Sequence, residues 1–531
     1  MRAALEYLPG DLFGLSDLQR RALSADPIID GLPGLLVPRR IASIPTPTDP
    51  FDADERAELA ANWEANLTSF EPHVAVLESV RKLATPGSSI VLVQAPPHFC
   101  GGPLEVVYRS LHAIRLARSL TERFGRPVVP VLWNDSDGHD LEPVRDLELL
   151  NDNFNLRRVS PASLGSNRHP ISRIVLEDEL HRLPPLREFL RQDLAECAFL
   201  EELLETGFPR PGETLETAFT RWILALFGPL GLIVLQPDWI RGGLSRALAD
   251  LVLLDPGRDL QPEESGGPAL IYRIADGRRE PLRRGGEGFQ YDDEVGSRTV
   301  SEMAAVIVQD PPSWSPGDLL LPLIQEAVLP VAAHIGSWQQ WKRFVPTAPL
   351  RVRAELPPAV FVPAQRATLI DPDCANVLSR SAIDLAEILK PAEAGENAKD
   401  EPAPIAERMR EMSKRAAEEL RSLRAELAEL DRGLSIQLKR TAGSVRGLVE
   451  NLAKRVDRSY QNHGGQEGRK TRRLRNSLLP GDLPQEVVLS SLPVFARHGW
   501  DWLVPLLEQL DDLPTEHLVI RLEEPEASTR G

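Results

Sequence analysis

The chain has 531 residues, 42% of them hydrophobic and 26% charged, with a net charge of −17. That length exceeds one ordinary core and predicts about two to four folded units. The acidity, with a pI of about 5.2, excludes long-range attraction to nucleic acid or anionic membrane, and no apolar run approaches the ~18–20 residues of a membrane helix.

The opening residues, MRAALEYLPGDLFGLSDLQRR, carry acids and a Pro-Gly break where a signal peptide has its apolar core. A cytoplasmic protein is the expectation. Residues 1–80 read as helices and loops, with a helical pattern from Asp52 to about Leu83. Ser89–Gln94 reads as a buried strand, apolar and β-branched between Pro-Gly-Ser and Pro-Pro. The loop APPHFCGGP (95–103) leads into an amphipathic helix in which Leu104, Val107, Leu111, Ile114 and Ala117 recur at three- and four-residue steps. Pro127–Trp133 is the second strand. Strand, helix and strand in this order form a βαβ unit with parallel pairing.

The alternation continues with a helix over 213–228, a strand at Gly231–Leu235, a strand at Ala269–Arg273 and a turn-rich segment over Asp276–Gly288. A long helix is expected over 316–342, then short apolar runs at Val360–Val362 and Ala367–Ile370. The fold class is α/β, a Rossmann-like open parallel sheet with insertions, spanning 1–388. The GxGxxG fingerprint of dinucleotide binding is absent. Residues 389–404 read as a linker, rich in charge, Ala and Pro. Beyond it, apolar residues from Ile405 to Val456 step by three or four along about seven heptads, which predicts a long coiled-coil helix. His463-Gly464-Gly465 breaks it, and Arg469–Leu479 returns as the second arm of a hairpin over 405–480. Residues 481–531 form a C-terminal helical segment packing back on the core. A seam longer than its return arm calls for a second copy of the chain, or for packing against the α/β body.

The chemistry concentrates after the predicted strands. Val131–Asp140, VLWNDSDGHD, ends an apolar run in Asn134, Asp135, Asp137, His139 and Asp140. In open parallel sheets, ligands bind outside the carboxyl ends of the strands. His139 is a candidate general base held by Asp137 or Asp140. The acids are equally candidates for Mg²⁺ ligation around a nucleotide, or for turn and N-cap roles in which Asp140-Leu141-Glu142 starts a helix. Gly101 and Gly102 before a helix suit either an anion approached by backbone amides or a tight turn. The loop after Leu235, which includes Asp238, would line the same crevice. The three cysteines, Cys100, Cys197 and Cys374, lack disulfide or zinc spacing. Arg469–Arg475, containing Arg472, is a solvated helix face or an anion site.

The order of several motifs resembles the BshC family, the cysteine-adding enzymes of bacillithiol biosynthesis. The resemblance rests on Gly102-Pro103-Leu104, Tyr108, Ala113–Ala117, Pro127–Val131, Trp133 and His139-Asp140. It continues through Leu320–Pro330, Ala333–Gly336, Arg472–Pro480 and Gln485–Pro493, and so covers essentially the full chain. It implies a Rossmann-like core and a coiled-coil domain that forms a homodimer. It implies a ligase that joins cysteine to the amine of glucosaminyl-malate, with ATP-type activation of the carboxyl and Mg²⁺ as its companion. Asp137, His139 and Asp140 would be catalytic. Gln94, His98, Gly101, Gly102, Tyr108, Asn134, Asp135, Glu142, Asp238 and Arg472 would contact substrate or nucleotide; no resident metal is expected. The chain departs from the family at the first loop. The family's Thr-Gly-Gln-Gln-x-Gly stands here as Val93-Gln94-Ala95-Pro96-Pro97-His98, and Gly138 replaces an acid. These changes open a second reading: a divergent or inactive homologue that takes another amine or serves as a dimeric binding or scaffold protein.

Overall fold

A computed structural model describes residues 3–523, except 13–14, 17–18, 21–33, 48, 50, 142–143, 152–153, 161–167, 177–182, 195–196, 257–268, 286–287, 291–297, 381–383, 391–403 and most of 424–465. It divides into two compact units, residues 1–375 with 483–531, and residues 376–482. Among the described residues, no helix is long and apolar enough to cross a membrane.

The first unit is built on a six-stranded sheet in which every pairing is parallel. In chain order its strands are β1 (Leu35–Leu36), β2 (Ser89–Ala95), β3 (Val128–Asn134), β4 (Ile233–Leu235), β5 (Val331–Gly336) and β6 (Ala359–Pro363). Across the sheet they run β1-β6-β5-β2-β3-β4. The central strands are buried on both faces; all seven residues of β3 are buried, which is why they read as unbroken apolar runs instead of alternating. Helix α1 (Ala53–Thr68) is fixed by a capping box between Asp52 and Glu55 and is followed by α2 (Val74–Leu83), where the sequence predicted one continuous helix. Helix α3 (Leu104–Phe124) buries Leu104, Val107, Leu111, Ile114 and Ala117, the predicted stripe. It stops at Gly125 in the left-handed region, φ 64°. Thr121 Oγ1 then accepts from Val128 N at 2.9 Å, tying the helix end to the start of β3.

Three further helices flank the sheet ends: α4 (Leu215–Phe227), α5 (Arg241–Leu253) and α6 (Leu321–Val328). The long helix expected over 316–342 is instead α6, strand β5 and a short helix, α7 (Trp338–Phe344). Pro330 removes a backbone donor and ends the helix. The run Val331–Gly336 is too short for periodicity to tell strand from helix. The correction decides where the site lies. The chain passes from β2 to β3 and β4 on one side, then crosses back to put β5 on the other side of β2. The reversal of strand order therefore falls between β2 and β5, where such sheets open a crevice.

A five-stranded antiparallel sheet joins Ile271–Ala275, Arg278–Gly285, Gly288–Gln290, Arg298–Thr299 and Trp314–Pro316. Its first hairpin turns at Asp276-Gly277, both with positive φ, the geometry that matches strand twist in a two-residue loop. The expected strand at 269–273 thus lies outside the parallel sheet. A third sheet contradicts the reading of the N-terminus as helices and loops. Ala3–Pro9 pairs antiparallel with Glu516–Leu522, which also pairs parallel with Arg366–Ile370. The segment expected to be helical after 481 therefore ends on a central strand.

In the second unit, α8 (Pro404–Ser422) and α9 (Gln466–Leu478) are described. Ala406 packs on Ala453, with Met409 and Val456 beside them, and Arg410 pairs with Glu450 at 3.3 Å. Ala406 and Ala453 are therefore neighbours although 47 positions apart, which one uninterrupted helix over 405–456 does not allow. An a/d pattern marks an apolar stripe without marking where it folds back. Most seam positions over 424–448 lie outside the described residues.

Candidate active site

The carboxyl ends of β2 and β3 lie level, with Gln94 opposite Trp133 and Ala95 opposite Asn134. Asp135 extends the register by donating its N–H to Ala95 O at 2.9 Å. Its carboxylate Oδ2 accepts from Gln94 Nε2 at 2.5 Å and stands 3.7 Å from Arg343 Nη1. Arg343 Nη2 meets Asp318 Oδ2 at 3.0 Å. Burial pushes the Asp135 carboxyl above its usual range; Arg343 opposes this and Asp318 adds to it. The crevice between β2 and β5 is floored by Arg109 and Gln340. Gln94 O accepts from Arg109 Nη1 and from Gln340 Nε2, each at 3.0 Å. Gln340 Oε1 accepts from Arg109 at 2.9 Å and from Ser337 N at 3.0 Å.

His139 is half-buried beside this group. Its Nδ1 lies 3.3 Å from Arg279 Nη1, and its ring is 5.7 Å from that of Tyr272. Arg279 is held in turn by Ser315 Oγ at 2.9 Å and Pro316 O at 2.6 Å, with its guanidinium 3.8 Å over Tyr272. Burial, then the charges of Arg279 and Arg168, lower the His139 pKa, while Asp140 and Asp318 act the other way. A lowered value leaves the imidazole neutral at physiological pH and able to accept a proton. The expectation that Asp137 orients His139 is overturned. Asp137 is buried, and its two oxygens take Arg241 Nη1 and Nη2 at 2.7 and 2.5 Å. Burial alone would raise this carboxyl, but Arg241 overrides it and the net shift is downward. Arg241 also meets Asp238 at 2.6 Å. Asp140 is exposed at the rim.

The other predicted residues fall differently. Asn134 is fully buried and donates to Glu216 O and Thr220 Oγ1, tying β3 to α4. Gly101 and Gly102 have φ of 82° and 74°. A Cβ on Gly101 would stand 2.0 Å from Trp222 Nε1, and one on Gly102 would stand 2.5 Å from His98 Cβ. Gly102 O accepts from Ser491 N at 2.9 Å. The glycine loop is therefore a buried turn packed on Trp222 and His98, with no room for a phosphate. His98 itself is 8% exposed and sets its ring edge against Phe219. Tyr108 is buried, its acidity suppressed by burial and then by Glu486; it faces the helix Gln485–Val488, which packs on α3. One residue's rotation along the helix gives the crevice to Arg109 instead. Asp238 borders a separate cavity of about 780 Å³ with Glu55, Asn62, Trp239 and Arg246. Arg472 belongs to the second unit, and Glu142 lies outside the described residues. Among the described residues, no group of three His, Cys, Asp or Glu side chains could hold a metal ion.

The sequence reading missed Glu216, Arg241, Arg279, Asp318, Gln340 and Arg343. Glu216 starts α4, 6% exposed, and accepts a short hydrogen bond from the Ser136 hydroxyl. Burial, with Asp238 and Asp137 adding their charges, pushes its carboxyl up to about 7 against the Ser136 bond. Gly138, where the family carries an acid, does not need to be glycine. A Cβ there would meet only ordinary contacts at 3.8 and 3.9 Å.

Two family models match the chain. The N-terminal Rossmann-like domain of bacillithiol biosynthesis BshC matches residues 41–241, and the C-terminal coiled-coil domain of BshC matches residues 367–522. Similar proteins named "Putative cysteine ligase BshC" occur in Koribacter versatilis, 27% identical over 80% of this chain and 82% of the relative. One in Thermus thermophilus is 28% identical over 75% and 82%. Another in Heliobacterium modesticaldum is 23% identical over 90% and 92%.

Proposed function

Because the chain belongs to the BshC family of bacillithiol biosynthesis, we propose that it is a cytoplasmic ligase that joins the carboxyl of cysteine to the amine of glucosaminyl-malate. The observation that carries the reading is a half-buried His139 just beyond the carboxyl end of β3, 3.3 Å from Arg279 and in the field of Asp318, the partner of Arg343. In amide formation the amine nitrogen bonds to the carbonyl carbon of the ATP-activated cysteine, the bond from that carbon to the activating phosphate oxygen breaks, phosphate or AMP departs, and the nitrogen must shed a proton. His139 receives that proton at Nδ1, the ring nitrogen whose lone pair faces Arg279 Nη1 in the free site, so the incoming amine takes the place of that 3.3 Å contact. Arg279 fixes the imidazole and, as a cation beside Nδ1, favours its neutral form. Arg279 supplies positive charge beside the reacting groups. Asp137 and Arg241 hold the loop in place and take no part in proton transfer.

Forming an amide from a free carboxylate in water is uphill, and the proposal takes ATP as the source of energy. The glycine loop does not fit a nucleotide phosphate, so no step is assigned to it. The proposal includes a homodimer through the coiled coil, supported by the exposure of Ile405, Met412, Leu423 and Leu452 in the second unit.

The test is product formation from cysteine, glucosaminyl-malate and ATP by the purified protein, followed by mass spectrometry. The wild type is expected to yield the cysteinyl amide. His139→Ala should keep its melting temperature and lose about 10²–10⁴-fold in rate. An unchanged rate in that variant overturns the role of His139. No product and no calorimetric binding of either substrate by the wild type would favour the scaffold reading.

A further inference from the structure

Three arginines near the strand ends are committed to protein partners. Arg109 serves Gln94 O and Gln340 Oε1. Arg241 serves Asp137 and Asp238. Arg279 serves Ser315, Pro316 and His139. Arg343 is different. Its Nη2 is paired with Asp318, a residue whose side chain is 51% exposed, and a pair standing in solvent is weak and exchangeable. Its Nη1 is buried and has no hydrogen-bond partner among the described residues. The nearest carboxylate oxygen, Asp135 Oδ2, is 3.7 Å away, beyond hydrogen-bond reach, and already accepts from Gln94. A buried guanidinium N–H left without an acceptor is costly. A ligand oxygen entering the crevice beside β2 would complete it.

We propose that Arg343 anchors a carboxylate of the acceptor, its planar fork meeting both carboxylate oxygens, so that the site selects amines that carry a carboxylate. The inference rests on the ligase reading and adds the determinant of acceptor choice. A guanidinium fork suits a carboxylate or a phosphate. Arg343 stands between two carboxyl groups, Asp135 and Asp318, a setting that repels a multiply charged polyphosphate far more than one carboxylate. The carboxyl of cysteine loses its charge during ligation, so a strong anchor there would hold the ground state in preference to the transition state. A carboxylate of the acceptor survives the reaction and is held equally throughout.

The test compares wild type, Arg343→Met and Arg343→Lys, each checked for an unchanged circular dichroism melt. With glucosaminyl-malate, the Met variant is expected to raise the acceptor KM by about 10–100-fold. Its kcat and its KM for cysteine and for ATP should stay within about threefold. The Lys variant keeps the charge without the fork and should recover part of the loss. Glucosamine, which has no carboxylate, should be an equally poor acceptor for all three. Calorimetry with L-malate alone supplies a readout independent of catalysis: wild type binds, the Met variant does not. If the wild type ligates no acceptor, the ligase reading falls, and malate binding still decides the anchor. Equal malate binding by wild type and the Met variant overturns the proposal. So does a rise in the ATP KM with the acceptor KM unchanged, which would mark a phosphate anchor, and so does an equal loss with both acceptors.

Discussion

Glu216 enters the first turn of α4 with its carboxyl turned inward, against the Ser136 hydroxyl and in the field of Asp137 and Asp238. Its folded value of about 7 stands above the ordinary 4.5. Between those two values the folded state holds a proton that the unfolded chain has lost, so this group's contribution to stability falls as pH rises through the window. At 1.36 kcal/mol per unit, the full cost of ionising it in place is on the order of 3 kcal/mol. Glu216→Gln keeps the polar contact and removes the charge. Its stability relative to wild type should therefore increase from pH 5 to pH 8 by up to that amount, measured by urea unfolding at each pH. A difference that stays flat with pH would show that Glu216 is already ionised in the fold. His139 and Asp135 were legible because an apolar run that ends in polar residues marks the carboxyl end of a strand. Glu216, Arg279 and Arg343 were not. A carboxylate or guanidinium carries no local pattern that separates a buried partner from a surface one, and only the packing of separate elements brings these to His139.

At the scale of elements, the loop 98–102 shows how a motif can be read correctly as a turn and wrongly as a cradle. Two glycines before a helix fit both. What separates them is what occupies the missing Cβ positions, here Trp222 and His98, and no spacing reports that. Gly101→Ala combines a positive φ with a collision against a buried indole, and should destabilise by about 2–4 kcal/mol in denaturant unfolding. Gly125→Ala is the control. Its φ is 64° and nothing lies within 4 Å, so only the backbone term remains, about 1 kcal/mol. Equal costs would show that the loop can move away from Trp222. Strand β5 was illegible for a related reason. Six mostly small apolar residues after a proline carry no period, and their parallel partners β2 and β6 supply the pairing. Misreading β5 hid the crevice, because the reversal of strand order is a property of the sheet and not of any segment in it.

The whole molecule is organised around insertion. The second unit occupies 376–482, and the chain then returns to the first unit through 483–531. The returning segment is structural. It pins the glycine loop through Leu489 and Ser491 and lays Glu516–Leu522 between Ala3–Pro9 and Arg366–Ile370. Removing residues 516–531 would leave two strands with no partner between them. That truncation is expected to collapse the soluble yield, whereas a cut after Glu523 should not. Equal recovery of both, measured by size-exclusion chromatography, would show that the three-stranded sheet is dispensable. The α/β class was legible from the βαβ alternation alone. The pairing of the N-terminal strand was not, because its partner lies some 500 residues away and no local pattern points across that distance.

That pairing also sets a clock on biogenesis. A chain emerging from the ribosome at about 5–20 residues per second would expose Ala3–Pro9 for roughly 25–100 s before its partner strand is made. Over that interval an unpaired edge is open to pairing with neighbouring nascent chains, so the protein depends on being shielded during synthesis more than its finished stability would suggest.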